Sequence, residues 1–258
     1  MQQYMHLTED IEIVEFEPAL YVKSLDAIVV ADIHLGLEWE LEEKGVHIPF
    51  PTYEPIVKSL RNMFSYRSAK KLIILGDIKN EFGDINPEEW TQVQDFVNDV
   101  RSLGAEPLLI RGNHDNFVRT VLRRLNVEFQ EPPVRLGEYF LIHGDKDHEL
   151  PGEGNVIIMG HEHPVVSIRD SIGVKHRFKS FLCGEYCGAK IIVLPSMNPL
   201  TMGTAVNEVD ASELLSPILR RIGVMSFTPI LLVQGEVLKQ FPKLSSLAAQ
   251  QFLRLEEY

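Results

Sequence analysis

The chain is short of three things, and each shortage removes a class of protein. Two cysteines in 258 residues exclude a disulfide framework, and a reducing, cytoplasmic compartment is expected. No apolar run approaches the ~20 residues that cross a bilayer, so no membrane partner is expected. The opening Met1-Gln2-Gln3-Tyr4-Met5-His6 has neither the basic n-region nor the apolar h-region of a secretory signal. Basic residues are also scarce: 25 Lys and Arg against 37 Asp and Glu give a net charge of −12. A nucleic-acid-binding stripe carries the opposite balance. Two short basic clusters remain, Lys175-His176-Arg177 with Lys179, and Arg119 with Arg123 and Arg124; both read as solvated faces.

What is present fits a folded enzyme. Hydrophobic residues at 45% and charged residues at 24% are ordinary, and the length suffices for a large core. In the first half, apolar runs at 26–31, 71–75 and 107–110 read as buried strands, with helical segments at 37–44, 56–64 and 86–103 between them. Asn86-Pro87-Glu88-Glu89 is a helix start, with Asn86 as N-cap and acids at the positive end of the dipole. In the second half, 139–142, 156–159, 165–168, 175–182, 190–194 and 229–233 read as strands and 244–255 as a helix. No repeat, low-complexity tract or linker divides the chain. The expectation is one domain, residues 1–258, with two stacked sheets in an α/β arrangement.

Five short polar segments follow these apolar runs: Asp32-Ile33-His34, Gly76-Asp77, Gly112-Asn113-His114-Asp115, His143-Gly144-Asp145 and Gly160-His161-Glu162-His163. Taken singly, each has an ordinary explanation as a turn or loop tip. Together, in this order and at strand ends, they gather carboxylates, an amide and five imidazoles, a set able to hold two divalent ions. Two ions ~3.5–4 Å apart can generate a nucleophile from a bridging water and clamp the phosphoryl oxygens of a phosphoester. Asp77 is the natural bridge. Asp32 and His34 stand two residues apart, as do His161 and His163, and on a strand each pair would face one side. Asn113 offers a neutral oxygen, and His143 completes the set.

The order and types of these motifs resemble the calcineurin-like metallophosphoesterase superfamily, and within it the nuclease-like, SbcD-type branch and its short stand-alone relatives. The resemblance implies a four-layer αββα sandwich of two stacked mixed sheets. It implies that Asp32, His34 and His163 bind one ion and Asn113, His143 and His161 the other, with Asp77 shared. It further implies that His114 meets the scissile phosphate and protonates the leaving oxygen, with Asp115 as the partner that orients its ring. Manganese is the expected metal, with Fe²⁺ or Zn²⁺ compatible with the ligands.

One position departs from the SbcD-type pattern Gly-Asp-x-x-Asp: Asn80 stands where the second Asp is usual. Lys79 beside it stands either in solvent or against a substrate phosphate. The long C-terminal extensions of SbcD-type nucleases are missing, so no ATPase or helicase partner is inferable; a homodimer stays open. The expected function is a phosphodiesterase acting on DNA, RNA or nucleotides. A phosphomonoesterase or cyclic-nucleotide hydrolase is the alternative on the same metals, and a non-catalytic metal-binding scaffold the alternative of another class. His6, His47, His148 and His176 lack partners at ligand spacing and read as structural or solvent-facing. Cys183 and Cys187 read as idle thiols, and the turn-rich segment 196–203 as lining for a substrate cleft.

Overall fold

Short runs of Val, Ile and Leu with no polar alternation form strands that bury both faces, and these runs build two mixed sheets. The computed structural model describes residues 5–81, 87–170 and 172–253; the expected N-cap Asn86 and the helical expectation beyond residue 253 fall outside them. The first sheet takes its strands in chain order: β1 (Met5–His6), β2 (Ile11–Ile13), β3 (Leu20–Val22), β4 (Ala27–Val30), β5 (Lys71–Leu75), β6 (Glu106–Ile110) and β7 (Glu128–Gln130). Its first four strands are antiparallel, and β4 to β7 run parallel.

The second sheet holds β8 (Val134–Leu136), β9 (Tyr139–Ile142), β10 (Val156–Met159), β11 (Pro164–Arg169), β12 (Lys175–Tyr186), β13 (Ala189–Val193), β14 (Thr204–Ala205), β15 (Thr228–Val233) and β16 (Val237–Gln240). Its order is β14-β11-β12-β13-β10-β9-β8, with β15 pairing β12 and carrying β16. Here β9, β10 and β13 are parallel.

Alternation along each strand assigns side chains to layers. From β4, Ile28 and Val30 meet a helix layer, while Ala27 and Val29 meet the second sheet. That helix layer is α2 (Tyr53–Tyr66), α3 (Pro87–Ser102) and α4 (Val118–Arg124), supplying Leu60, Phe96 and Val121 among others. Leu141 and Ile158 face inward between the sheets, and Ile142 and Met159 face outward. The outward face is covered by α5 (Pro217–Ile222) and α6 (Leu244–Leu253). This is the expected αββα sandwich. One further helix in chain order before α2, α1 (Leu37–Glu43), follows directly on the Asp32–His34 motif.

Some expectations change. Helix α2 starts at Tyr53, so Pro55 lies in its first turn, where the N–H it lacks would have no helical partner. The arginine cluster lies on α4; the exposed Arg119 and Arg124 place their guanidinium groups over Phe129 and Trp90, at 5.7 and 5.1 Å from the ring centroids. Lys175 and His176 are exposed as expected, paired with Glu208 and Asp170. Lys179 departs from that cluster's reading, because its ammonium is enclosed. Among the described residues, no helix is long and apolar enough to cross a membrane.

Candidate metal centre

Strands β4, β5, β6, β9 and β10 end at Val30, Leu75, Ile110, Ile142 and Met159, and each hands the chain to one of the five polar motifs. The motif loops are stitched to one another by main-chain bonds. The N–H groups of Asp32 and His34 donate to the carbonyls of Gly76 and Asp77 at 3.2 and 2.9 Å, and Gly160 N–H donates to His143 O at 2.9 Å.

Convergence does not come from strand alternation, as the two-residue spacings suggested. Asp32, His34, His161 and His163 lie beyond their strands, and all four have left-handed backbones, with φ of 56°, 46°, 67° and 47°; Asp77 has φ 53°. A non-glycine residue in this region costs about 1–2 kcal/mol. Five such residues in one place are strain concentrated where side chains must be aimed. Two glycines permit the close approach. At Gly76, with φ +80°, a Cβ would lie 2.3 Å from His143 Nδ1, and at Gly112 it would lie 2.2 Å from Asp77 Oδ1.

The ligand atoms fall into three overlapping groups, each within 4.8 Å: Asp32, His34 and His163; His34, Asp77 and His114; and Asp77, His143 and His161. His34 Nε2 and His163 Nε2 are 3.3 Å apart, and His163 Nε2 lies 3.3 Å from Asp32 Oδ1. On the other side, His143 Nε2 lies 3.1 Å from His161 Nδ1, 3.0 Å from Asn113 Oδ1 and 3.2 Å from Asp77 Oδ2. Nitrogens that meet nitrogens at such distances, with carboxylates between, form a donor set suited to divalent cations. His143 Nδ1 is directed to Leu75 O at 2.8 Å, leaving Nε2 for the centre.

Electrostatics follow from burial and crowding. Burial opposes ionisation of Asp77, but His143, His34 and His114 outweigh it and hold the carboxyl well below its ordinary value. Asp32 is lowered likewise by His163 and His143 against its burial. His143 moves the other way: burial would lower it, yet Asp77 and Asp32 raise it to about 10. Burial lowers His34 and His161 to about 4.

Asp115 has a different place from the one expected. Its buried carboxylate accepts the N–H groups of Gly112, Asp77 and Ile78 at 2.7, 2.8 and 3.0 Å, so it ties two motif loops together. The oxygen facing His114 Nδ1 is the carbonyl of Asn80. Burial, with the Asp77 charge, pushes Asp115 up to about 7.

The model of the calcineurin-like phosphoesterases matches residues 26–193, a span that begins just before Asp32 and ends after His163. The chain belongs to the calcineurin-like phosphoesterase family. It is therefore a phosphoester hydrolase, and membership implies divalent metal ions at the clustered Asp and His residues. Among solved structures it is similar to the Pseudomonas putida nuclease MPE, with a TM-score of 0.65 and 21% identity over 93% of this chain and 99% of that one. No curated protein matches it.

Several supports of this phosphoesterase's centre carry roles that the sequence did not show. Segment 196–203, expected as cleft lining, buttresses the first motif: Asn198 Nδ2 donates to Ile33 O and His34 O at 3.0 and 2.9 Å, and Ser196 Oγ donates to Asp32 O at 2.7 Å. Beneath it, Lys179 Nζ donates to Ser196 O and Asn198 O at 2.6 and 2.5 Å. Burial lowers this ammonium to about 7, with Asp32 opposing. Glu162, between His161 and His163 in sequence, is buried and accepts Ser216 N–H at 2.9 Å and Leu215 N–H at 3.2 Å, anchoring that loop to the start of α5. Lys79 is neither in solvent nor at the mouth: it is fully buried, with Nζ on Glu81 O. Cys183 and Cys187 are free thiols.

Proposed function

We propose that this phosphoesterase hydrolyses phosphodiesters, in nucleic acid or nucleotides, with two divalent ions of which manganese serves best. The observation that carries the reading is the position of Asp77 between two histidine groups, its Oδ2 3.2 Å from His143 Nε2 and 3.9 Å from His34 Nε2. One carboxylate so placed can serve two ions. Asp32, His34 and His163 would hold the first, and Asn113, His143 and His161 the second. When bound, such ions activate water and neutralise charge on the phosphoryl oxygens.

The remaining steps belong to side chains. His114 Nδ1 faces a carbonyl, so Nε2 is the ring atom turned to the centre, 4.0 Å from Asp77 Oδ2. From there it can give a proton to the leaving oxygen. Asp115 positions His114 indirectly, by holding the Gly112 and Asp77 main chains in register.

Charge supports a diester over a monoester. A monoester is nearly dianionic and suits a site with spare cations beside the metals. Of the motif cations, Lys79 is buried, and Arg111 donates to Asn116 Oδ1 at 2.8 Å and pairs with Glu131 at 3.4 Å. The similar Pseudomonas putida protein is a nuclease, which favours nucleic acid. Two of the three arginines of α4, Arg119 and Arg124, already lie over aromatic rings, so little basic surface is left to grip a long backbone.

The test is one substrate panel with Mn²⁺. Bis-(p-nitrophenyl) phosphate should be cleaved faster than p-nitrophenyl phosphate, and single-stranded DNA or RNA weakly and with strong salt sensitivity. Monoester preference with no nucleic-acid cleavage would move the reading to a small-molecule phosphatase. Inactivity on every substrate at full metal loading would make the protein a scaffold.

A further inference from the structure

We propose that Glu40, on α1, is a positioning residue for His114, acting through Asn80 and supplying from another element the carboxylate that position 80 lacks. The inference rests on reading His114 as the proton donor.

A fixed acceptor at Nδ1 holds the proton there and sets the ring plane, so that the doubly protonated imidazolium gives its other proton from Nε2. In this chain the acceptor is the main-chain oxygen of Asn80. A carbonyl is only as fixed as its residue, so the question becomes what holds Asn80. Its N–H donates to Leu35 O at 2.9 Å, and its buried side chain donates from Nδ2 to Glu40 Oε2. An amide bound to a carboxylate makes a charge-assisted bond, stronger than a neutral pair. Glu40 is itself steadied by Lys44 one helical turn later.

The carboxylate also lies in the field of the ring. Contact with Lys44 does most to hold the Glu40 carboxyl below its ordinary value, burial opposes it, and Asn80 and then the His114 imidazole add to the lowering. The run His114, Asn80, Glu40 thus joins the third motif, the second motif and the helix that follows the first. An Asp at position 80 would have placed a carboxylate on the second motif itself. With Asn80 there, the negative charge comes from α1 and the hydrogen bond between the two side chains runs the other way.

The experiment uses the Mn²⁺-loaded enzyme on methyl aryl phosphate diesters of rising leaving-group pKa. Glu40→Gln should cut the rate roughly 10–100-fold on the poorest leaving group. On a nitrophenyl leaving group, which scarcely needs a proton, the loss should stay within about threefold. Bound metal and KM should hold. Asn80→Asp alone sets two carboxylates against each other and should lose rate and heat stability. The double variant Glu40→Gln/Asn80→Asp should recover much of the wild-type leaving-group dependence, a non-additivity expected of touching side chains. Equal loss across the series, loss of metal, or failure of the double variant to recover would overturn the proposal. If wild type cleaves the series while Glu40→Gln loses rate uniformly, this inference falls and the phosphodiesterase reading stands. If wild type cleaves none of it, both fall.

Discussion

Asn198 lies beneath His34: although the two are 164 residues apart in sequence, the Asn198 amide donates to the His34 carbonyl at 2.9 Å and to the neighbouring Ile33 carbonyl at 3.0 Å. It thereby secures the main chain of a residue with a left-handed backbone. Asn198→Ala should leave two buried carbonyls without this donor, costing about 1–3 kcal/mol. The Asp32–His34 loop should then relax, and metal affinity should fall roughly 10–100-fold. Denaturant titration and direct metal titration measure the two effects. Unchanged affinity would show that the stitching to Gly76 and Asp77 suffices.

Lys179 makes a prediction with a definite sign. Its ammonium is lowered to about 7, from an ordinary value of 10.5. Between those values the unfolded chain holds a proton that the native state lacks, so stability should rise with pH, by at most about 1.4 kcal/mol per unit. Below pH 7 both states are protonated, and the cost of enclosing the charge is fully present. Lys179→Met should remove this slope while leaving the Ser196 and Asn198 carbonyls short of a donor. Denaturation curves of chelator-treated protein from pH 6.5 to 10 would show it. A wild-type curve parallel to that of Lys179→Met would refute the enclosed ammonium.

The contrast between these supports and the clustered polar residues explains what was legible. That Asp32, His34, Asp77, Asn113, His114, His143, His161 and His163 would gather in one place could be read because each is a metal- or proton-binding type of residue that follows an apolar run. The layers could be read because Ile28, Ile74 and Leu141 belong to runs too apolar for a one-faced strand. Asn198 and Lys179 could not. One stood in a segment that looked like any turn, the other in a cluster that looked like any basic surface, and only tertiary approach gives them their partners. The aim of Asp32 and His34 was foreseen but its cause was not, since spacing cannot tell strand alternation from two left-handed residues. Likewise the family resemblance implied that Asp115 orients the His114 ring, whereas folding turned its carboxylate to three main-chain donors. The entry strands β1 to β3, at two or three residues each, are too short to show a period.

Metal uptake should release protons. His143 is raised to about 10, so at pH 7 its ring is protonated in the metal-free protein, whereas a ligand must be neutral. His34 and His161, lowered to about 4, are neutral already and have none to lose. Calorimetric titration with Mn²⁺ in buffers of different ionisation enthalpy should therefore report at least one proton released. The apparent affinity should climb about tenfold per pH unit below pH 10 where this proton dominates. Uptake without proton release would show that the His143 ring is already neutral before the metal binds.

The last prediction separates holding the ions from using them. Asp77 touches both histidine groups, and its Oδ1 also accepts His114 N–H at 2.9 Å. Asp77→Ala should therefore lose metal and rate together, and should disturb the loop that carries His114. His114 lies at the edge of the donor set, with Nε2 4.0 Å from the shared carboxylate and part of its side chain open to solvent. Its replacement by Ala should keep both ions and lower the rate roughly 10²–10⁴-fold on diesters with poor leaving groups. Elemental analysis beside the kinetics distinguishes the cases. Two ions retained with unchanged turnover on such a substrate would strip His114 of the acid role, and loss of an ion on its removal would make it a ligand instead. The second outcome has a structural basis, because His34, Asp77 and His114 form one of the three groups within 4.8 Å.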